Sequence, residues 1–380
     1  MITDSPMIAL ARNDHSIVGR WWWTVDRWTL VALILLIGVG AVLTMAASPA
    51  IAERMGVDSF FFVRRQLLFL LPAVALMFGV SLMSPTSVRR LAVVGLALTV
   101  VLMLVTLLAG VDVNGARRWL RLGGFSLQIS EFAKPCFAVT AAWLFASQRV
   151  DPTFPANYIS IATCAAIIAL LMLQPDFSMA VLIVAVWFVQ YFLAGLNLGW
   201  LAALAAAAVA GTAAAYAYVP HVTSRIDRFL DPTSGDSYQV DTALEAFMNG
   251  GLLGRGPGEG VVKEVLPDAH SDFVFAVAGE EFGLLLCLAI IVLFGFVVLR
   301  GFGRVMRGDS LFVLLAVGGL LTQFGLQAFL HMGVTVGLVP PTGMTLPFVS
   351  YGGSSIIAIA LGMGMMLALT RRPRGQGGAP

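Results

Sequence analysis

Charged residues are scarce in this sequence. Asp, Glu, Lys and Arg together make up 12% of the 380 residues, whereas a soluble domain carries roughly 25%. Apolar residues account for 59% of the chain, and the mean hydropathy is +0.89. This composition excludes an ordinary soluble enzyme and indicates an integral membrane protein. The net charge of +2 is too small to suggest a nucleic-acid partner.

Cysteine is also rare. Cys136, Cys164 and Cys287 all lie in apolar stretches, which argues against a disulfide framework or a thiolate metal site. We predict no metal ligands. A secretory signal sequence is missing too, because residues 1–28 are mixed polar and the apolar run that follows is too long. Tryptophans expected at the membrane interface precede that run: Trp21, Trp22, Trp23 and Trp28.

Long apolar segments dominate what is present. A spanning helix needs about 20 mostly apolar residues. The predicted spans are 29–48, 65–84, 91–110, 131–147, 157–173, 177–194, 199–219, 272–300, 311–332 and 350–370. We therefore predict an all-α integral membrane protein of about ten transmembrane helices, with a membrane domain over 29–370, an N-terminal segment over 1–28 and a tail over 371–380.

An even number of spans places both termini on one side of the membrane. Lys and Arg in the short loops favour the cytoplasm for that side, because cytoplasmic loops carry an excess of these residues. Segment 111–130 and the large loop 220–271, between the seventh and eighth spans, then lie outside the cytoplasm. A loop as long as the second is uncommon in a compact body and is usually functional.

The first candidate site lies in segment 111–130. Arg117, Arg118 and Arg121 stand there against the positive-inside rule. Binding of a lipid pyrophosphate would explain their position, since Arg is a fork donor for phosphate oxygens. Trp119 could stack on a sugar or anchor the segment at the interface. The alternative is that the arginines contact ordinary anionic headgroups.

Two charged residues begin the fourth predicted span. Glu131 and Lys134 are three residues apart and share a helix face, and Ser130 is a candidate N-cap. Ionisable groups at membrane depth usually face the protein interior. We expect Lys134 to pair with Glu131, with another acid or with a phosphate.

Glycine is concentrated at residues 250–260 of the large loop. Such a segment permits unusual backbone angles and favours either an anion-binding nest or a flexible connector. It is not a Walker loop, because no Gly-Lys-Ser/Thr follows.

The entry to the eighth predicted span carries three acids. Asp272 stands where the loop meets the helix, so it is either a reactive group or a helix cap. Glu280 and Glu281 lie roughly 12 Å deeper along a helix. Two adjacent acids inside a span need partners, for which we consider Lys134 or a cation.

A last candidate segment, 337–355, is uncharged and rich in Pro and Gly. Irregular backbone at membrane depth is tolerated where protein or a cavity covers it. We expect this segment to line a cleft, with an ordinary turn before the tenth span as the alternative.

Taken in order, these segments resemble the SEDS family, which comprises FtsW, RodA and SpoVE proteins. The most specific stretches are Pro267 to Gly283 and Gly337 to Ser355. Pro-Asp-Ala-His-Ser-Asp-Phe is more similar to the Pro-Glu-Ala-His-Thr-Asp-Phe of the FtsW branch than to the Pro-Glu-Arg-His-Thr-Asp-Phe of the RodA branch. Ala269 is the informative position, and Ser271 in place of Thr keeps the hydroxyl.

The resemblance implies polymerisation of lipid II into β-1,4 glycan strands at the outer face of the inner membrane, at the division septum. The catalytic acid would be Asp272. The expected substrate contacts are Trp119, Arg117, Arg118, Lys134, Glu131, His270, Ser350 and Tyr351. No cofactor is required by the pattern, although a divalent cation, Mg²⁺ or Mn²⁺, at the pyrophosphate remains open.

The resemblance also implies partners: a class B penicillin-binding transpeptidase of the FtsI type, with FtsQ, FtsL, FtsB and FtsN. Three alternatives remain. A lipid II flippase would use the intramembrane charges as a polar path, a scaffold would only recruit the transpeptidase, and a RodA-like enzyme would act in elongation.

Overall fold

The computed structural model describes residues 16–113, 116–123, 125–195, 198–219, 222–224, 227 and 238–371. Residues 1–15 of the predicted N-terminal segment, residues 372–380 of the tail and most of 220–237 in the large loop lie outside the described residues. Each of the ten predicted spans corresponds to a helix. The described parts of the chain are mainly helical, as predicted.

The helices up to the first outer segment are α1 (Ile17–Thr24), α2 (Arg27–Met55), α3 (Phe61–Ser81) and α4 (Pro85–Ala109). Three short strands follow: β1 (Val111–Val113), β2 (Ala116–Leu122) and β3 (Phe125–Gln128). The next helices are α5 (Ser130–Val150), α6 (Ala156–Leu173), α7 (Phe177–Leu193) and α8 (Leu198–Tyr218). The remaining elements are α9 (Tyr238–Gly250), α10 (Val262–Val265), α11 (Val274–Val305), α12 (Leu311–Thr335) and α13 (Gly353–Leu369).

Among the described residues, six helices are long and apolar enough to cross a membrane: α2, α3, α4, α6, α11 and α12. The apolar helices α7 and α13 are shorter. Helix α5 carries polar side chains, but it is buried over most of its length and contacts α4 and α12. A helix surrounded by protein does not need a wholly lipid-compatible surface, which explains why α5 tolerates these residues.

Hydropathy alone suggests that segment 111–130 is an open loop, but the structure shows a small sheet there. Its three strands form an antiparallel sheet in the order β1-β2-β3. Trp119 lies opposite Gln128, and Leu120 lies opposite Leu127. The alternation of side chains in a strand places Arg117, Trp119 and Arg121 on one face of β2 and Arg118 on the other.

One end of the bundle is closed by an ion cluster. The Arg300 guanidinium donates to both carboxylate oxygens of Asp26 at 2.7 and 2.9 Å, and Arg304 lies 3.5 Å from the same carboxylate. Arg304 also donates to the Thr370 carbonyl at 2.9 Å. The start of α2 and the ends of α11 and α13 therefore meet at this end, and the sheet lies at the other.

Helix α11 is interrupted at Gly283, whose φ of 76° and ψ of −177° are not helical. The glycine-rich segment 250–260 repairs the break. Arg255 and Gly256 donate to the carbonyls of Glu280 and Glu281, and the N–H of Leu284 donates to Gly251 O, all at 2.9–3.0 Å. In an unbroken helix Leu284 would donate to Glu280. Neither predicted alternative for this segment, a nest or a flexible connector, includes this pairing of its backbone groups with a broken helix.

Candidate active site

Asp272 lies in a tight turn just before α11. The carbonyl of Asp268 accepts hydrogen bonds from the N–H groups of Ser271, Asp272 and Phe273 at 3.0, 3.0 and 3.3 Å. The N-cap position of α11 is Phe273 rather than Asp272. The Asp272 carboxyl therefore belongs to the turn that precedes the helix, and it is partly exposed.

The Pro- and Gly-rich segment is fastened to this turn at two consecutive residues. The Ser350 hydroxyl donates to Ser271 O at 2.6 Å and accepts from Leu346 N–H at 2.8 Å. Tyr351 N–H donates to His270 O at 2.9 Å. Ser350 is buried, and its hydroxyl is engaged by protein groups on both sides. Ser350 thus supports the turn, and its contact with substrate stays a prediction.

His270 packs against two aromatic rings that also contact each other. Its ring centroid lies 4.7 Å from that of Phe62 and 5.1 Å from that of Tyr351. Burial lowers the pKa of His270 below its ordinary 6.5, with the nearby charge of Asp268 opposing the shift. The imidazole is therefore neutral at pH 7, and it stabilises the turn by packing.

A small cavity of about 30 Å³ opens beside Asp272. Its lining comes from four parts of the fold: the turn before α11, the start of α9, the end of α12 and the segment 341–344. A Cβ placed on Gly343 would lie 3.8 Å from Asp272 Oδ2, so the segment runs directly past the carboxylate. The two most specific sequence motifs meet at this carboxylate.

Glu131 and Lys134 form a buried ion pair at 2.8 Å, with side chains 8% and 1% exposed. Lys134 also donates to Gln327 Oε1 at 2.9 Å, and Gln327 Nε2 donates to Thr345 O at 2.9 Å. The predicted pairing of Lys134 with Glu131 is thereby confirmed, and a contact of the pair with substrate stays a prediction. Through Gln327 the pair supports the segment that passes Asp272.

Glu280 and Glu281 are neutralised separately from that pair. Glu280 accepts from the N–H groups of residues 261–263 at 2.7–2.9 Å and from Asn249 Nδ2 at 2.9 Å. Glu281 forms an ion pair with Lys263, the second of the chain's two lysines. The prediction that Lys134 pairs with these acids is wrong, because Lys263 reaches them from the large loop.

The sheet separates the arginines of the first candidate site. Arg118 donates to Gln174 O at 2.9 Å and to Pro175 O, and it lies 4.0 Å from Asp176. Arg118 therefore ties β2 to the turn between α6 and α7. Arg117 lies 3.8 Å from Asp112, and its side chain is 53% exposed.

The sheet and the Asp272 turn are joined through α3. The ring of Phe125 on β3 contacts that of Phe69 at 5.6 Å, and Gln66, on the same helix, donates to Ser350 O at 3.4 Å. Arg117 and Trp119 thus lie at the same end of the bundle as Asp272.

Three polar residues of the site were missed at the level of sequence: Lys263, Gln327 and His331. The last two stand four residues apart on α12, a mainly apolar helix that also carries Gln323. Polar groups spaced by one turn within a span would have been a usable signal. Lys263 gives no such signal, because its partner is fixed by the fold of the large loop.

Comparison with known proteins agrees with these motifs. Residues 27–375 match the profile of the FtsW/RodA/SpoVE family, described as cell cycle proteins. The probable peptidoglycan glycosyltransferase FtsW of Caulobacter vibrioides is 41% identical over 372 residues, which cover 98% of this chain and 95% of the relative. Stage V sporulation protein E of Bacillus subtilis is 30% identical over 357 residues, covering 92% and 98%.

Solved structures share the fold. A chain of a peptidoglycan synthase complex, described as coordinating polymerization and crosslinking, superposes with a TM-score of 0.73 at 26% identity and covers 92% of this chain and 98% of its own. The rod shape determining protein RodA of Thermus thermophilus gives 0.68 at 25% identity, with 92% and 97% covered. On sequence, motifs and fold together, this multi-pass membrane protein belongs to the FtsW/RodA/SpoVE family, the SEDS proteins.

Proposed function

We propose that this protein is a peptidoglycan glycosyltransferase that polymerises lipid II at the division septum. The observation that carries the proposal is the position of Asp272: a partly exposed carboxylate, on a turn held by two residues of the Pro- and Gly-rich segment, at the head of a membrane helix. The curated relatives named as probable peptidoglycan glycosyltransferases support the reaction class.

The proposed reaction joins two lipid-linked disaccharides. A hydroxyl of the acceptor sugar attacks the anomeric carbon of the donor and gives its proton to the Asp272 carboxylate. The new C–O bond forms as the bond to undecaprenyl pyrophosphate breaks, and that group leaves as an anion. Displacement with inversion at an α-linked sugar gives a β-1,4 bond. A leaving group this good needs charge neutralisation rather than a second carboxylic acid.

We assign that neutralisation to the exposed face of the sheet. Arg117 and Arg121 share the face of β2 that also carries Trp119, and both arginines are exposed. Guanidinium groups bind phosphate oxygens in a bidentate geometry. No group of three or more His, Cys, Asp or Glu side chains in the described parts of the chain could hold a metal. We therefore build the step on the side chains of this chain.

A flippase would need a polar path through the bundle. The charges proposed for it are instead neutralised in two separate clusters: Glu131 with Lys134, and Glu280 and Glu281 with Lys263 and backbone N–H groups. A buried charge that is already paired is costly to expose. This arrangement favours the polymerase over the flippase.

We further propose an inner-membrane location at the septum, with the termini in the cytoplasm and the sheet outside it. The ion cluster of Asp26, Arg300 and Arg304 would then face the cytoplasm. A class B penicillin-binding transpeptidase of the FtsI type is the proposed partner, together with FtsQ, FtsL, FtsB and FtsN. The likeness to a peptidoglycan synthase complex supports such a partnership.

The test uses Asp272→Asn in the purified full chain with its transpeptidase and labelled lipid II. We expect a loss of glycan product of at least a hundredfold, since a general base contributes about 10²–10⁴. Asp268→Asn is the matched control, because it changes an exposed acid of the same turn at a left-handed position that Asn tolerates. Unchanged polymerisation by Asp272→Asn would contradict the proposal, and transfer of lipid II across liposomes without polymer would favour the flippase.

A further inference from the structure

His331 is a buried imidazole. Among the described residues, one of its ring nitrogens has a hydrogen-bond partner and the other has none. Its Nδ1 lies 2.8 Å from the Met344 carbonyl oxygen. A carbonyl oxygen only accepts, so Nδ1 carries the proton. The Nε2 atom of the neutral ring is then an acceptor, and it is buried without a hydrogen-bond partner among the described residues.

The same side chain lines the cavity beside Asp272. A cavity that holds water needs room for roughly one water-sized probe, about 10–15 Å³, and two or more polar partners. This cavity measures about 30 Å³. Its lining includes the polar residues Asp272, His331, Gln239 and Thr342, so the cavity has space for one water molecule beside these residues.

We propose that His331 is a positioning residue, which acts on the Asp272 carboxylate through one water molecule held in this cavity. The water donates one hydrogen to Nε2 of His331 and the other to the carboxylate. A hydrogen bond to the ionised carboxyl favours that form. The arrangement therefore keeps Asp272 ionised and oriented to accept a proton. This inference rests on the function proposed above.

Among the described residues, Asp272 and His331 are the titratable residues that line the cavity. Asp272 also makes a further polar or electrostatic interaction. Nearby titratable groups on the packed elements are Asp268 and His270 on the turn, Asp241 on α9 and Tyr351 after the Pro- and Gly-rich segment, and none of these four lines the cavity. A change in the acid limb of the pH–rate profile after substitution of His331 would thus report on Asp272.

The test compares three variants of the full chain in the polymerisation assay. His331→Leu removes both ring nitrogens, and we expect kcat to fall at least tenfold with KM changed less than threefold, and the acid limb to move to higher pH. His331→Asn can donate to Met344 O and accept from the water, so we expect activity within threefold of wild type. Gln323→Leu is the control, because Gln323 is buried on the same helix with an unpartnered Oε1 but lines a different cavity.

The inference is overturned if His331→Leu keeps the wild-type kcat and pH profile, or if it changes KM alone. Should His331→Leu fail to fold, a structure of the wild-type protein that resolves water decides: a water within hydrogen-bond distance of both Nε2 and the Asp272 carboxylate supports the inference, and a dry cavity overturns it. Full activity of Asp272→Asn would instead overturn the proposed function itself, so the two failures are distinguishable.

Discussion

The two lysines of the chain, Lys134 and Lys263, are both buried against glutamate. The Glu131–Lys134 pair could be predicted from the sequence because the two residues lie on one helical turn. The partner of Glu281 lies 18 residues away in the large loop. A pair of that kind cannot be read from spacing, since it depends on how the loop folds back onto α11.

Lys134→Met should destabilise the protein strongly. The change leaves Glu131 buried without its cation, which costs about 3–5 kcal/mol. Thermal unfolding of the purified protein measures the effect. Adding Glu131→Gln removes the stranded charge, so the double variant should recover much of the loss. A double variant as unstable as Lys134→Met would show that packing of the lysine stem, rather than charge, matters at this position.

At the scale of elements, the ten helices were predictable because each is a long apolar run. The sheet was missed, since hydropathy treats segment 111–130 as one polar loop. The aromatic Trp119 and the Gly123-Gly124 pair that follows are signs of a strand and a hairpin turn. The repair of α11 by residues 251–256 was beyond any local pattern, because the hydrogen bonds join two backbones.

The hydrogen bonds across the break at Gly283 predict that alanine destabilises the protein more at Gly254 than at Gly258. A Cβ on Gly254 would stand 2.2 Å from Glu281 O, whereas a Cβ on Gly258 meets nothing within 4 Å, and both residues have positive φ. Gly258→Ala should cost only the left-handed penalty, about 1–2 kcal/mol. We expect Gly254→Ala to cost clearly more, as measured by thermal unfolding and by faster hydrogen exchange of the amides of residues 261–263. Equal losses of stability in the two variants would show that residues 250–260 move at little cost to accommodate the Cβ.

At the scale of the whole molecule, Asp26 links α2 to α11 at one end of the bundle, and Arg304 extends this cluster to the end of α13. Burial raises the pKa of this carboxyl, but hydrogen bonds from Arg300 and Thr29 and the charges of Arg304 and Arg300 outweigh burial, so the pKa lies below the ordinary 3.8. A carboxyl with a lowered pKa contributes stability above its unfolded value, and that contribution is lost as the pH falls through the folded value.

Asp26→Asn should therefore lower the free energy of unfolding at pH 7. The gap to wild type should begin to narrow as the pH falls below about 4, and it should close once the pH is below the folded-state pKa of Asp26, where both proteins carry a neutral group. Denaturation followed from pH 7 to pH 3 measures this. Asp151→Asn is the control, because Asp151 is exposed and its side chain bonds within its own turn. A gap that persists unchanged at low pH would assign the effect to shape instead of charge.

The burial of both lysines has a practical consequence for chemical labelling. Side-chain exposures of 1% and 6% leave neither amine open to reagents that acylate primary amines. Acylation of Lys134 or Lys263 would then mark molecules in which the bundle has come apart. A time course of that modification, followed by mass spectrometry, would measure the rate at which the protein opens in a native membrane.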